Sequence, residues 1–262
     1  MVLQTTDLTL QYPGKVLCRN LNLTVNPGEC WAILGQNGCG KTTLIHALGG
    51  LVQPKDGPRG SCVTFAGKAP KAWRRLELAR KLGILLQDEP GEFWGSVYEY
   101  VLLGRHPHVH NTFGWGDADQ EIVMQALDRM GLKGLARRPL VTLSGGERQR
   151  ARIALLLVQS PQYYLLDEPL LHLDLRHQLN VTMLFKELAE QGKSVVMVLH
   201  DVDWANRFCD HALMLFEDGH TIIGPVEKVL NLGNLEALYQ CDVAKFSSGF
   251  NTGCISRTMR SV

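Results

Sequence analysis

Cys30-Trp31-Ala32-Ile33-Leu34, then Gly35-Gln36-Asn37-Gly38-Cys39-Gly40-Lys41-Thr42, then Thr43-Leu44-Ile45-His46-Ala47-Leu48 read as a strand, a glycine loop and a helix in immediate succession. Gly35 and Gly40 hold the glycine positions of a phosphate-binding loop, and Gly38 keeps a further side chain out of the turn. Without Cβ atoms the backbone bends tightly and aims its N–H groups inward, beside the positive end of the following helix. In such a cradle Lys41 reaches the β- and γ-phosphates of a nucleotide, and the Thr42 hydroxyl completes a Mg²⁺ site. Asn37, Cys39 and Thr43 join the candidate nucleotide-contacting set. The competing reading is a glycine-rich turn that binds nothing. The flanking strand and helix weigh against it.

Leu143-Ser144-Gly145-Gly146-Glu147-Arg148-Gln149-Arg150 opens the apolar run Ala151 to Val158, which reads as a buried helix. Ser144 with Glu147 is also an ordinary capping box. A cap needs no glycine pair, however, whereas Ser-Gly-Gly at a helix start offers backbone donors and a hydroxyl to an anion. Here the chain resembles the ATP-binding-cassette (ABC) ATPases, whose signature is LSGGQ or a close variant. The resemblance implies that Ser144, Gly145 and Gly146 contact ATP held by a partner subunit, with Glu147 in place of the usual Gln.

Further motifs of that family follow in order. Tyr163-Tyr164-Leu165-Leu166-Asp167-Glu168-Pro169 is a β-rich run ending in two carboxylates. By resemblance, Asp167 holds Mg²⁺ through water and Glu168 is the general base. His200, after Ser194 to Leu199, matches the switch histidine, Gln87 the Q-loop glutamine that reaches Mg²⁺, and Tyr12 the aromatic that stacks on adenine. Asp174 matches the D-loop aspartate. Leu171 departs from the pattern, since it stands where the family usually has a polar residue that hydrogen-bonds across the dimer.

At 262 residues and 45% hydrophobic content the chain suits one large domain. No apolar run approaches the roughly eighteen residues of a membrane span, so this chain is not itself expected to be a pore. A net charge of +1 argues against wholesale nucleic-acid binding. Lys71, Arg74, Arg75, Arg80 and Lys81 surround Trp73, Leu76, Ala79 and Leu82, a pattern expected of a solvated helix face. Seven cysteines without a C-x-x-C pair fit a reducing compartment, and Cys39 inside the loop suggests sensitivity to thiol reagents. His106, His108 and His110 could ligate one metal only in an extended segment, and Pro107 argues for a loop or helix end.

The expected organisation is α/β: a P-loop NTPase (RecA-like) core with an antiparallel β subdomain and an inserted α-helical subdomain. The ABC resemblance covers residues 1–246, with the helical segment at about 88–142 and a poorly ordered tail at 247–262. Strands are expected at Leu8 to Gln11 and Leu21 to Val25, and helices at Val97 to Leu103 and Asp119 to Met130, with two stretches, Val226 to Leu232 and Leu235 to Tyr239, closing the domain.

Phe93-Trp94-Gly95-Ser96-Val97-Tyr98-Glu99-Tyr100-Val101-Leu102-Leu103-Gly104-Arg105-His106-Pro107 resembles the insertion of ATPases serving iron-chelate, haem and cobalamin importers. The segments 171–178 and 224–230 are similar to theirs as well. This implies an ATP-hydrolysing homodimer on the cytoplasmic face of the inner membrane. It would work with transmembrane permease subunits and an extracytoplasmic substrate-binding protein, with Arg105 and Pro107 exposed toward the permease. An ABC ATPase for another cargo, including an exporter, is the alternative within the class. A soluble ABC protein acting on ribosomes or DNA is the alternative outside it, and a single cassette without coiled coils speaks against that.

Overall fold

The computed structural model describes residues 2–12, 15–52, 62–87, 91–109 and 114–242. In chain order the elements are β1 (Leu3–Thr6), β2 (Leu8–Tyr12), β3 (Lys15–Leu21), β4 (Thr24–Val25), β5 (Cys30–Gly35), α1 (Lys41–Leu48), β6 (Cys62–Phe65), α2 (Arg75–Lys81), β7 (Leu82–Leu85), α3 (Val97–Leu102) and α4 (Asp117–Arg129). They continue as α5 (Gly145–Gln159), β8 (Tyr163–Leu166), α6 (Leu175–Glu190), β9 (Ser194–Val198), α7 (Val202–Phe208), β10 (His211–Leu215), β11 (Thr221–Pro225), α8 (Val226–Val229) and α9 (Leu232–Tyr239).

The central sheet has the order β11-β10-β5-β9-β8-β7, parallel except for β11, which pairs antiparallel with β10. A parallel sheet needs cover on both faces, and the side-chain alternation of β5 shows it. Cys30, Ala32 and Leu34 enter one apolar cluster, with α3 to α6, while Trp31 and Ile33 enter a second, with β1 to β3 and α1. The N-terminal strands form the expected antiparallel part as two small sheets, β4-β1-β6 and β2-β3.

Two strand expectations are corrected. The strand expected at Leu21 to Val25 is split: Leu21 ends β3, Asn22 and Leu23 are loop, and Thr24–Val25 is β4; the partner of β2 is Lys15–Leu21, with register shifts near Leu10. The apolar pattern around α2 is also differently placed. Leu82 begins β7, Leu76 is exposed, and Leu78 is the residue that packs inward. The cations there are partly engaged: Arg80 Nε donates to the Pro107 carbonyl at 2.6 Å, and the Lys68 and Lys81 ammoniums lie 5.0 and 5.2 Å from the centre of the Trp73 ring.

The helical segment packs as α3 and α4 against α5, with Val97, Val101, Val123 and Leu127 fully buried. Ser96 caps α3 through a complete capping box with Glu99. The chain then tightens into a 3₁₀ turn, Leu103–His108, which contains Pro107. The tail expected at 247–262 lies outside the described residues.

Candidate functional site

Gly40 is the hinge between β5 and α1. Its φ of 111° is a left-handed value that only glycine adopts without strain, and an added Cβ would sit 3.0 Å from Leu17. Beyond it, Lys41 is buried and its ammonium donates to the carbonyls of Gly35 at 2.8 Å and Gln36 at 2.9 Å, so the loop curls round its own lysine. A cleft of about 520 Å³ opens over this loop. Tyr12, Asn37, Gly38, Gly40, Lys41, Thr42, Thr43, Gln87, Glu168 and His200 line it, joined by Lys15 and Leu17. Gly35 and Cys39 do not line it, and Cys39 is fully buried with its thiol pKa pushed up by burial.

Sheet order explains the convergence. β5, β9, β8 and β7 are parallel neighbours, and their C-terminal ends deliver the phosphate loop, His200, the Asp167-Glu168 pair and Gln87 respectively. His200 Nε2 lies 2.7 Å from Glu168 Oε1. Glu168 has a left-handed backbone, φ 49°, which costs a non-glycine residue roughly 1 kcal/mol and turns its carboxylate out of the strand toward the cleft.

Asp167 does not line the cleft, but its carboxylate lies beside the cleft-lining Thr42 hydroxyl. It is 1% exposed, and neither carboxylate oxygen has a hydrogen-bond partner of sound geometry, although the Thr42 hydroxyl is close enough to favour the charged form. Burial is the larger influence and raises its pKa. A buried carboxylate left short of partners beside a threonine hydroxyl fits a divalent cation, because hard cations take oxygen ligands and offset the burial of charge. The residues present therefore suit Mg²⁺.

The signature residues stand elsewhere. Ser144 caps α5, its hydroxyl accepting from the Glu147 N–H at 3.3 Å while Glu147 accepts from the Ser144 N–H at 2.8 Å, which pulls the Glu147 pKa down. An added Cβ on Gly146 would meet the His172 carbonyl at 2.8 Å, so α5 starts hard against the turn after Glu168. Gly145 lines a second cleft of about 490 Å³, together with Arg148, Leu171 and His172; Gln87 and Glu168 form a wall common to both clefts. Ser144, Gly146 and Asp174 line neither cleft. Asp174 caps α6, accepting from the His177 N–H at 2.9 Å, and that bond lowers its pKa.

The profile described as "ABC transporter" matches residues 18–171, more than half of the chain. The chain belongs to this family. It is accordingly a nucleotide-binding ATPase domain, and its relatives agree. The chain is 36% identical to the ferric enterobactin transport ATP-binding protein FepC of Escherichia coli K12 over 240 residues, 90% of this chain and 86% of that protein. Among solved structures, an inward-facing ABC transporter described as of the metal-chelate type superposes with a TM-score of 0.76 at 32% identity, covering 91% of this chain and 89% of that one. The dimeric post-hydrolysis structure of the cassette MJ0796 with ADP and Pi superposes at 0.75 with 26% identity, over 86% of this chain and 98% of that one.

Several contacts in this ABC ATPase were not anticipated. Arg152, 9% exposed, donates to the carbonyls of Leu86 and Gln87 and to the Gln149 side chain, while Gln149 donates to the Pro169 carbonyl at 3.1 Å. The signature helix is thus tied to both the Q-loop and the turn after Glu168. The signal was present as Arg152, a cation inside the apolar helical run, one turn after Gln149. Lys15, whose ammonium donates to the Gly38 carbonyl at 3.3 Å, was visible only as a cation after a turn.

The expectation that Arg105 and Pro107 are exposed is overturned. Pro107 is buried, and the Arg105 side chain is 14% exposed, paired with Asp119 at 2.8 Å and donating to the Val158 carbonyl at 2.9 Å. The exposed large apolar side chains among the described residues of this region are Trp94 at 76%, Leu103 at 41% and Trp115 at 40%. His108 meets the Gln159 carbonyl at 2.8 Å, and His110 lies outside the described residues.

Proposed function

We propose that this ABC ATPase drives an importer for a metal chelate, with a ferric siderophore as the first cargo to test and haem or cobalamin as the others. The observation that carries the reading is the convergence of Lys41, Glu168 and His200 on one cleft, in a chain similar to an iron-chelate transport subunit and to a transporter of metal-chelate type. Tyr12 would stack on adenine, while Lys41 and the N–H groups of residues 38–43 would hold the phosphates. Glu168 is placed to take the proton of the attacking water, and His200, in contact with it, to hold that carboxylate and meet the γ-phosphate. Mg²⁺, held by Thr42, Gln87 and, through water, Asp167, would neutralise charge on the β- and γ-phosphates.

Because the signature serine and Gly146 line no part of the cleft over the phosphate loop, two copies arranged head to tail complete the site, with Ser144 and Gly146 of one facing the Lys41 site of the other. Separate permease subunits receive the helical segment on the cytoplasmic side of the membrane. Among the described residues no helix is long and apolar enough to cross a bilayer. A binding protein would deliver cargo to the far side.

The test is reconstitution with candidate permease and binding-protein partners, measuring ATP-dependent uptake of the three cargo classes. Uptake that Lys41→Ala abolishes is expected. Failure of the wild-type chain to associate with any permease overturns the transport reading.

A further inference from the structure

Gln36 belongs to the phosphate loop but does not line the cleft above it. Its side-chain amide donates instead to the Leu238 carbonyl at 2.7 Å, joining residues 202 positions apart in the chain. Leu238 is the penultimate residue of α9, and the last carbonyls of a helix have no partner within it. The phosphate loop therefore supplies a donor to the end of the C-terminal helix. That helix is a firm support, since Leu235 and Leu238 are buried in the larger apolar cluster.

The backbone of Gln36 is engaged as well. Its carbonyl accepts from the Lys41 ammonium at 2.9 Å and from the Cys39 N–H at 3.4 Å. One residue thus holds the loop lysine, closes the turn and anchors both on α9. Tyr239, the next residue of that helix, adds to the contact. Its hydroxyl is buried without a hydrogen-bond partner among the described residues, and its pKa is raised first by burial and then by the nearby Asp201 and Cys39. The end of α9 accordingly borders both the phosphate loop and the residue after His200.

We propose that Gln36 positions the phosphate loop by bracing it on the end of α9, so that the C-terminal helix sets nucleotide affinity from outside the cleft. This role rests on the nucleotide site proposed above. Backbone donors bind a phosphate best when they are already aimed as it arrives, and the Gln36 side chain fixes the peptide that leads into Asn37 and Gly38. When Lys41 leaves the carbonyls of Gly35 and Gln36 for the phosphates, the bond to Leu238 continues to hold Gln36 in place. By linkage the effect runs both ways: nucleotide that settles the loop also steadies the end of α9.

The experiment is calorimetric titration of the full chain with Mg-ADP, beside hydrogen exchange of residues 232–242 with and without it. ADP is the probe because it lacks the γ-phosphate on which the proposed dimer closes. In the wild type ADP should slow exchange at the end of α9. Gln36→Met, similar in length but without a donor, should raise the dissociation constant for ADP about threefold to tenfold, the worth of one ordinary hydrogen bond, and abolish the ADP-induced protection of α9. Gln36→His, whose neutral ring N–H has a similar reach, should restore both. Asn231→Ala loosens α9 at its other end, where the Asn231 side chain accepts from the Asn234 N–H at 3.0 Å, and should leave the ADP response in place. Unchanged affinity in Gln36→Met, or full ADP-induced protection of α9 in it, overturns the brace and leaves the nucleotide site standing. A loss that Gln36→His does not restore, or that Asn231→Ala reproduces, assigns the effect to packing or general loosening and also overturns the brace. A wild-type chain that binds ADP no better than Lys41→Ala overturns the nucleotide site, and the brace with it.

Discussion

At the scale of single residues, the roles proposed for Glu168 and Lys41 separate hydrolysis from binding. Glu168→Gln keeps size and hydrogen bonding but removes the base, so turnover should fall roughly 10² to 10⁴-fold, about 3 to 5 kcal/mol of barrier, with ATP binding retained. Lys41→Ala should instead lose nucleotide affinity. Steady-state hydrolysis beside equilibrium binding of a fluorescent ATP analogue separates the two, and near-normal turnover by Glu168→Gln in the assembled complex rejects the base assignment. Most of this site was legible in the sequence because its chemistry is local: the glycine spacing, the paired carboxylates and Ser-Gly-Gly each lie within eight residues. What was not legible depends on distant contacts. Arg152 reads as another cation on a helix until its partners at Leu86 and Gln87, some 65 residues earlier, are in place.

Among the elements, the helical segment shows the same division. Its helices were readable from their caps and periodicity, yet the orientation of Arg105 was not, because the groups that bury it, Asp119 and the Val158 carbonyl, belong to α4 and α5. Charge reversal there is a folding defect before it is a docking defect. Arg105→Glu sets two carboxylates together in a half-dry seam and should lower stability by about 2 to 4 kcal/mol in thermal or urea unfolding. Trp94→Ala, at the most exposed aromatic of the segment, should shift stability by no more than about 0.5 kcal/mol while weakening co-purification with the permease. If assembly survives Trp94→Ala, the docking surface lies elsewhere.

Across the whole molecule, Ser144 and Gly146 lie off the wall of the cleft over the phosphate loop, an arrangement that the proposed head-to-tail pairing would complete. Mixing Ser144→Arg subunits with Lys41→Ala subunits should leave one intact composite site per mixed dimer, so ATP should drive dimerisation in the mixture but not in either variant alone. A mixture that stays monomeric while the wild type dimerises removes the support for head-to-tail pairing. The order of the central sheet has a different consequence, felt before any nucleotide arrives. β5 carries the phosphate loop early in the chain, but the strands that flank it, β9 and β10, end at Val198 and Leu215. At ribosomal speeds of about 5 to 20 residues per second, the roughly 180 residues between Gly35 and Leu215 take on the order of 10 to 35 s to emerge. Until β9 has emerged, this fully buried strand has two open edges on the nascent chain, and until β10 has emerged it has one, the situation in which strands pair with the wrong neighbour. The topology that gathers the ends of four strands onto one rim thus makes this chain's synthesis, more than its working cycle, the stage at which holdase chaperones would matter.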